Sequence, residues 1–178
     1  MNIVVYLGSN ESNVPEIRDR VCELGRWIGE SGNDLIYGGL KSGLMGYLAE
    51  SVLDAGGKVT GVEPEMFVNA GFVYDRIDEL IVTKNMTERK SKMIELGDAF
   101  IAFPGGTGTL DEISEIMCMK VLKLTEAPCI IYNINGFYDG LKDLMDRMVE
   151  TGLATRSKLE RTKFAENLSD IIRIIEGE

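Results

Sequence analysis

Glu112 and the run Pro104-Gly105-Gly106-Thr107-Gly108-Thr109 just before it form the part of this chain best equipped for chemistry. The run follows Asp98 to Phe103, an apolar stretch that reads as a fully buried strand. It leads into Ile113, Ile116, Met117, Val121 and Leu124, spaced as one face of a helix. A glycine-rich turn between a buried strand and a helix start leaves backbone N–H groups free beside the positive end of the helix dipole. That end carries roughly half an elementary charge and favours a phosphate. Glu112 brings a carboxylate one turn further on. An anion holder next to an acid group points to chemistry on a phosphorylated small molecule. The same residues also fit a plainer pattern: Thr109-Leu110-Asp111-Glu112 has the capping-box spacing, in which the glutamate only returns to the helix start.

Composition limits the alternatives. The chain has 178 residues, enough for one domain with a sizeable core, and 29 acidic against 19 basic side chains give it a formal charge of -10. Nucleic acids and anionic membranes select basic surfaces, so neither is expected as a partner. No apolar run approaches membrane-spanning length, and the first residues read as a strand rather than a leader. Cys22, Cys118 and Cys129 lie within apolar helix or strand patterns and are expected to be buried thiols of a cytoplasmic protein. The chain contains no histidine. That removes Ser-His and Cys-His nucleophiles and the usual histidine-bearing metal sites, leaving carboxylates, Arg, Lys, hydroxyls and backbone. No metal ion or organic cofactor is called for.

The elements that position the run alternate between strand and helix. Strands are expected at Asn2 to Leu7, Leu35 to Tyr37, Lys58 to Val62, Leu80 to Val82, Asp98 to Phe103 and Cys129 to Tyr132. Helices are expected from about Pro15 to Gly29, from Leu44 to the stop at Gly56-Gly57, and from about Met86 to Leu96. Further helices follow the glycine-rich run, span about Phe137 to Glu150, and carry Leu168, Ile171, Ile172 and Ile175. Residues 65 to 77 read as a loop with a helical turn. The alternation predicts an α/β fold, with a mostly parallel central sheet covered by helices on both faces. In such a sheet ligands bind beyond the carboxyl ends of the strands. Gly8-Ser9, the stretch Gly38 to Gly43, and Gly105 to Thr109 all follow strands at that edge, so the three loops are expected to make one composite site. Gly38 and Gly39 equally fit a simple tight turn.

Several segments together resemble the Lonely Guy family of cytokinin-activating nucleoside 5′-monophosphate phosphoribohydrolases, many relatives of which carry a "lysine decarboxylase-like" label. Pro104 to Glu112 matches the family's PGGxGTxxE signature. Tyr37 to Gly46 resembles its YGGGxxGLMG stretch, Gly56 to Val62 its GGxVxGV, Met86 to Lys90 its MxxRK, and Gly136-Phe137-Tyr138 its GFY. The resemblance implies a Rossmann-like three-layer sandwich over residues 1–178, a homodimer, and hydrolysis of a purine or cytokinin nucleotide to free base and ribose 5-phosphate. By position it makes Arg89 and Glu112 the catalytic pair. Gly105, Gly106, Thr107, Gly108 and Thr109 become the phosphate loop and Lys90 a substrate contact, with Gly8, Ser9, Gly38, Gly39, Gly43 and Met45 around the nucleotide. Leu40 replaces a usual glycine, and Thr87 stands where family members often carry histidine. A non-catalytic carrier of an anionic nucleotide or molybdenum cofactor would use the same loop without Glu112 and Arg89. A true decarboxylase would need a Schiff-base lysine, for which no lysine here has a suitable context.

Overall fold

A computed structural model describes residues 1–177. Seven strands form one sheet: β1 (Asn2–Tyr6), β2 (Asp34–Tyr37), β3 (Val59–Pro64), β4 (Glu79–Thr83), β5 (Ala99–Ala102), β6 (Cys129–Tyr132) and β7 (Thr162–Ala165). Their order is β4-β3-β2-β1-β5-β6-β7, and every neighbouring pair is parallel. The strands β5 (AFIA) and β6 (CIIY) are buried throughout, as expected of strands covered on both faces.

Helices α1 (Pro15–Glu30), α2 (Gly43–Asp54) and α8 (Leu168–Glu176) cover one face of the sheet. On that side Ile17, Val21, Leu24, Leu48, Val52 and Ile171 meet Ile3, Val5, Leu35 and Ile101. Helices α4 (Met86–Leu96), α5 (Thr107–Val121) and α6 (Asp139–Glu150) cover the other, where Met93, Ile113 and Ile116 meet Val4, Tyr6, Ile36 and Phe100. Two short helices, α3 (Glu65–Asn69) and α7 (Arg156–Leu159), complete the described elements with a 3₁₀ turn at Ile134–Gly136.

Three features differ from the sequence expectation. Strand β7 was not expected: Thr162-Lys163-Phe164-Ala165 is short, with an exposed lysine, and lies at the sheet edge, where charge blunts pairing with other chains. Helix α5 starts at Thr107, its N-cap is Gly106, and no side chain caps it. The capping-box reading of Thr109 and Glu112 is therefore wrong, because Glu112 lies in the second turn. Finally, only Cys129 is buried; Cys22 is half-buried and Cys118 is exposed on the outer side of α5.

The chain steps outward from β1 to β4, then crosses back through α4 to lay β5 on the other side of β1. The loops leaving β1 and β5 thus diverge at a topological switch point, where a crevice forms. The bond from Gly8 N–H to Pro104 O, 3.3 Å, ties the two loops together at its floor. Close packing of α1 on α2 holds one wall. A Cβ on Gly29 would lie 2.7 Å from both Ala55 Cβ and Val52 O. Gly29→Leu is expected to destabilise the protein by about 1–3 kcal/mol through overpacking, read as a lowered urea midpoint. An unchanged midpoint would show that the helices can separate freely.

Candidate active site

The crevice is a cleft of about 510 Å³ bordered by the ends of β1, β3 and β5 and the starts of α2, α4 and α5. Gly8, Ser9, Met45, Arg89, Gly105, Gly106, Thr107, Gly108, Thr109 and Glu112 line it. Gly105 is bare for a steric reason: a Cβ there would collide with the Thr109 hydroxyl and lie 2.8 Å from Gly8 N. Gly106 and Gly108 have open space where a side chain would stand. The first turn of α5 thus faces the cleft with amide donors that no intrahelical acceptor can take.

Arg89 and Glu112 meet across the cleft floor. Asn85 caps α4 by accepting from Glu88 N–H at 3.0 Å, which sets the helix phase that turns Arg89 toward the sheet. Arg89 Nε donates to Val62 O at 2.8 Å and Nη1 donates to Glu112 Oε1 at 2.6 Å. Both side chains are buried. The guanidinium therefore bridges the end of β3 and the second turn of α5. Burial pushes the Glu112 carboxyl above the ordinary carboxylate range, and the Arg89 charge opposes that rise. Tyr6 lies in the sheet beneath the pair; burial and the Glu112 charge raise its phenol well above its usual value.

Four predicted residues stand outside the cleft lining. A Cβ on Gly38 would lie 2.5 Å from Arg89 Nη2, so this glycine makes room for the guanidinium. Gly39, at φ +86°, makes room for Glu63 in the same way: its Cβ would lie 2.6 Å from Glu63 Cγ. Gly43, at φ +60°, lets the start of α2 press on the Ser9 carbonyl. Lys90 does not line the cleft and ties α4 to α5 through Asp111, which does, at 3.0 Å and Glu115 at 3.3 Å. Leu40 lines the cleft, whereas Thr87 lies exposed on the first turn of α4 and does not.

Sequence reasoning missed Glu63, Phe67, Met86 and Phe137, all of which line the cleft. Glu63 is the notable omission. It ends a strand that reads simply as Val-Thr-Gly-Val-Glu-Pro, a position where a carboxylate is usually solvated. Here Gly39 leaves room for its side chain. The segment that reads as an irregular loop pairs with residues 39–41, through Lys41 N–H to Phe72 O at 3.1 Å and Tyr74 N–H to Gly39 O at 2.9 Å. Glu63 is 2% exposed, and its Oε2 has no hydrogen-bond partner. Burial, with the Glu112 charge adding to it and Arg89 opposing it, pushes this carboxyl up to about 7.

A family model described as possible lysine decarboxylase matches residues 45–175. A cytokinin riboside 5′-monophosphate phosphoribohydrolase from Rhodococcoides fascians is 39% identical over 175 residues, 98% of this chain and 88% of that protein. Another, from Arabidopsis thaliana, is 32% identical over 174 residues, covering 98% of this chain and 82% of its own length. Among solved structures, the molybdenum cofactor binding protein from the phototrophic bacterium Rippkaea orientalis superposes with a TM-score of 0.74 at 24% identity. That match covers 99% of this chain and 95% of the other and shows a shared fold.

The raised Glu63 carboxyl ties stability to pH. Its proton is held to about pH 7 in the folded chain and released near the ordinary 4.5 when unfolded. Between those values the folded state binds more protons, so the stability associated with this group is complete below the lower value and falls as pH rises through the upper one. Glu63→Gln, which cannot ionise, is expected to raise Tm at pH 8 by at least about 2 °C. The gain should fade below pH 5, and an equal effect at both pH values would contradict the burial account.

Proposed function

The chain belongs to the Lonely Guy family, and from that membership we propose that it is a nucleoside 5′-monophosphate phosphoribohydrolase. It hydrolyses the N-glycosidic bond of a purine or cytokinin nucleotide to free base and ribose 5-phosphate. The buried Arg89–Glu112 pair within reach of an uncapped helix start is the observation that carries this reading.

In the proposed complex the phosphate rests on the amides of residues 106–109 and the ribose lies over the ion pair. Cleavage passes through an oxocarbenium-like sugar. Glu112 stabilises that positive charge and accepts the proton of the attacking water. Arg89 remains protonated throughout and cannot serve as a base; it fixes the Glu112 carboxylate and holds sugar or phosphate oxygens. Residues 1–178 act as a single nucleotide-binding domain, supported by the one sheet that spans the described residues. A homodimer is part of the proposal, supported by the exposed apolar side chains Leu110, Leu122 and Leu124 on and just beyond α5. So is a cytoplasmic setting, which the three free cysteines support.

The carrier reading has support from fold likeness alone. A pyridoxal-dependent decarboxylase finds less support still: it needs a lysine facing the ligand, and among the described residues no lysine lines the cleft.

Purified protein incubated with adenosine 5′-monophosphate is expected to release adenine and ribose 5-phosphate. Glu112→Gln should lower kcat by about a hundredfold or more while the far-ultraviolet circular dichroism stays unchanged. Full turnover in that variant would remove the mechanism. Gly108→Asp, which adds a negative charge in open space at the helix start, is expected to raise KM about tenfold through repulsion of the phosphate. An unaltered KM would place the phosphate elsewhere.

A further inference from the structure

The proposed hydrolysis leaves one requirement unmet by Arg89 and Glu112. A purine departs poorly as an anion, so a proton must reach a ring nitrogen as the bond to C1′ breaks. We propose that Glu63 is the proton donor to the departing base, an inference that rests on the hydrolase reading above.

Placement is the first argument. Glu63 lines the same cleft as the bare amides of α5, and the apolar Leu40, Met45, Phe67 and Met86 line it too. Arg89 runs from the carbonyl of Val62, the residue before Glu63, to the carboxylate of Glu112, and its charge acts on both carboxyls. A ligand with its phosphate on those amides and its sugar over the ion pair can bring its base to Glu63. A partly apolar lining with one unpartnered acid suits a flat heteroaromatic ring with an acceptor nitrogen.

The cost of the carboxyl is the second argument. A buried carboxyl without partners is unfavourable by about 1–3 kcal/mol or more, and apolar side chains fill such positions better. Glu63 makes no ion pair among the described residues, and Oε2 is unsatisfied. Gly39 leaves space for its side chain. The fold is shaped around an acid that does nothing for its stability. The charged and titratable groups facing it are Arg89 and Glu112 across the cleft and Tyr37 on β2. Burial outweighs the opposing charge of Arg89, which is committed to Glu112 and Val62, so Glu63 keeps its proton into the neutral range.

The step balances. As the C1′–N9 bond breaks, its electron pair stays with the base and the Glu63 proton passes to a ring nitrogen, so the base leaves neutral. Water oxygen bonds to C1′ and its proton goes to Glu112. Glu112 then releases that proton to solvent and Glu63 takes one back, which restores both groups.

The test compares two substrates in wild type and Glu63→Gln. Adenosine 5′-monophosphate needs a proton on its leaving group, whereas para-nitrophenyl riboside 5′-phosphate releases a stable phenolate without one. Glu63→Gln is expected to lower kcat on the first by about 10²–10⁴-fold, the usual contribution of an acid catalyst. On the second, kcat should stay within about threefold of wild type. Glu63→Leu should show the same split. Equal losses on both substrates, or no loss on either, would overturn the donor role and leave the hydrolase reading standing. Wild-type protein that cleaves no 5′-monophosphate would overturn both.

Discussion

The ion pair between Arg89 and Glu112 constrains more of this molecule than any other contact, because two charges removed from water need every remaining donor and acceptor placed. The guanidinium meets that demand from two sides, the Val62 carbonyl and the Glu112 carboxylate. It can do so only if the end of β3 and the opening turns of α4 and α5 lie within a few ångströms of one another. The sheet order brings this about. The crossover through α4 returns the chain from the β4 edge to the side of β1, so α4 and α5 lie side by side on one face. Lys90, Asp111 and Glu115 tie the same helices together. Buried pairs of this kind add little net stability against an apolar alternative, so their retention points to use rather than to folding.

Glycine serves this site in two different ways. Gly106 and Gly108 are open to the cleft and expose backbone to a ligand, whereas Gly38, Gly39 and Gly105 are bare because other protein groups occupy the space. Gly38 yields to Arg89, Gly39 to Glu63, and Gly105 to Thr109 and the Gly8 amide. A glycine-rich loop in sequence therefore did not distinguish ligand contact from internal packing. Leu40, where a further glycine is usual in the family, does no damage to this arrangement. It lines the cleft, and its antiparallel bridge to Val73 ties residues 39–41 to the segment after α3.

Most of the framework was legible from hydrophobic patterning. Six of the seven strands carry short apolar runs at βα spacing, and α4 was located to its end residues. Strand β7 escaped because an edge strand with a lysine and a threonine carries no apolar run. Arg89 was legible only through family resemblance, since an Arg-Lys pair on a helix ordinarily faces solvent; burial comes from the turn of α4 set by Asn85. Glu63 gave no signal at all. Its surroundings come from Gly39, which leaves it room, and from Arg89 and Glu112, all distant in sequence. Side chains buried by such long-range packing are invisible to periodicity. The Gly25 and Gly29 contacts that let α1 press onto α2 were likewise hidden, because a helical glycine reads as a weak point until its neighbour is known.

One cleft thus combines an uncapped helix start, a buried carboxylate fixed by a cation, and an unpartnered acid. The most direct measurement is a crystal structure of Glu112→Gln protein with adenosine 5′-monophosphate bound. The account predicts the phosphate on the amides of residues 106–109, C1′ beside residue 112, and the base against Glu63. A nucleotide held outside this cleft, or in it with phosphate and base exchanged, would contradict it.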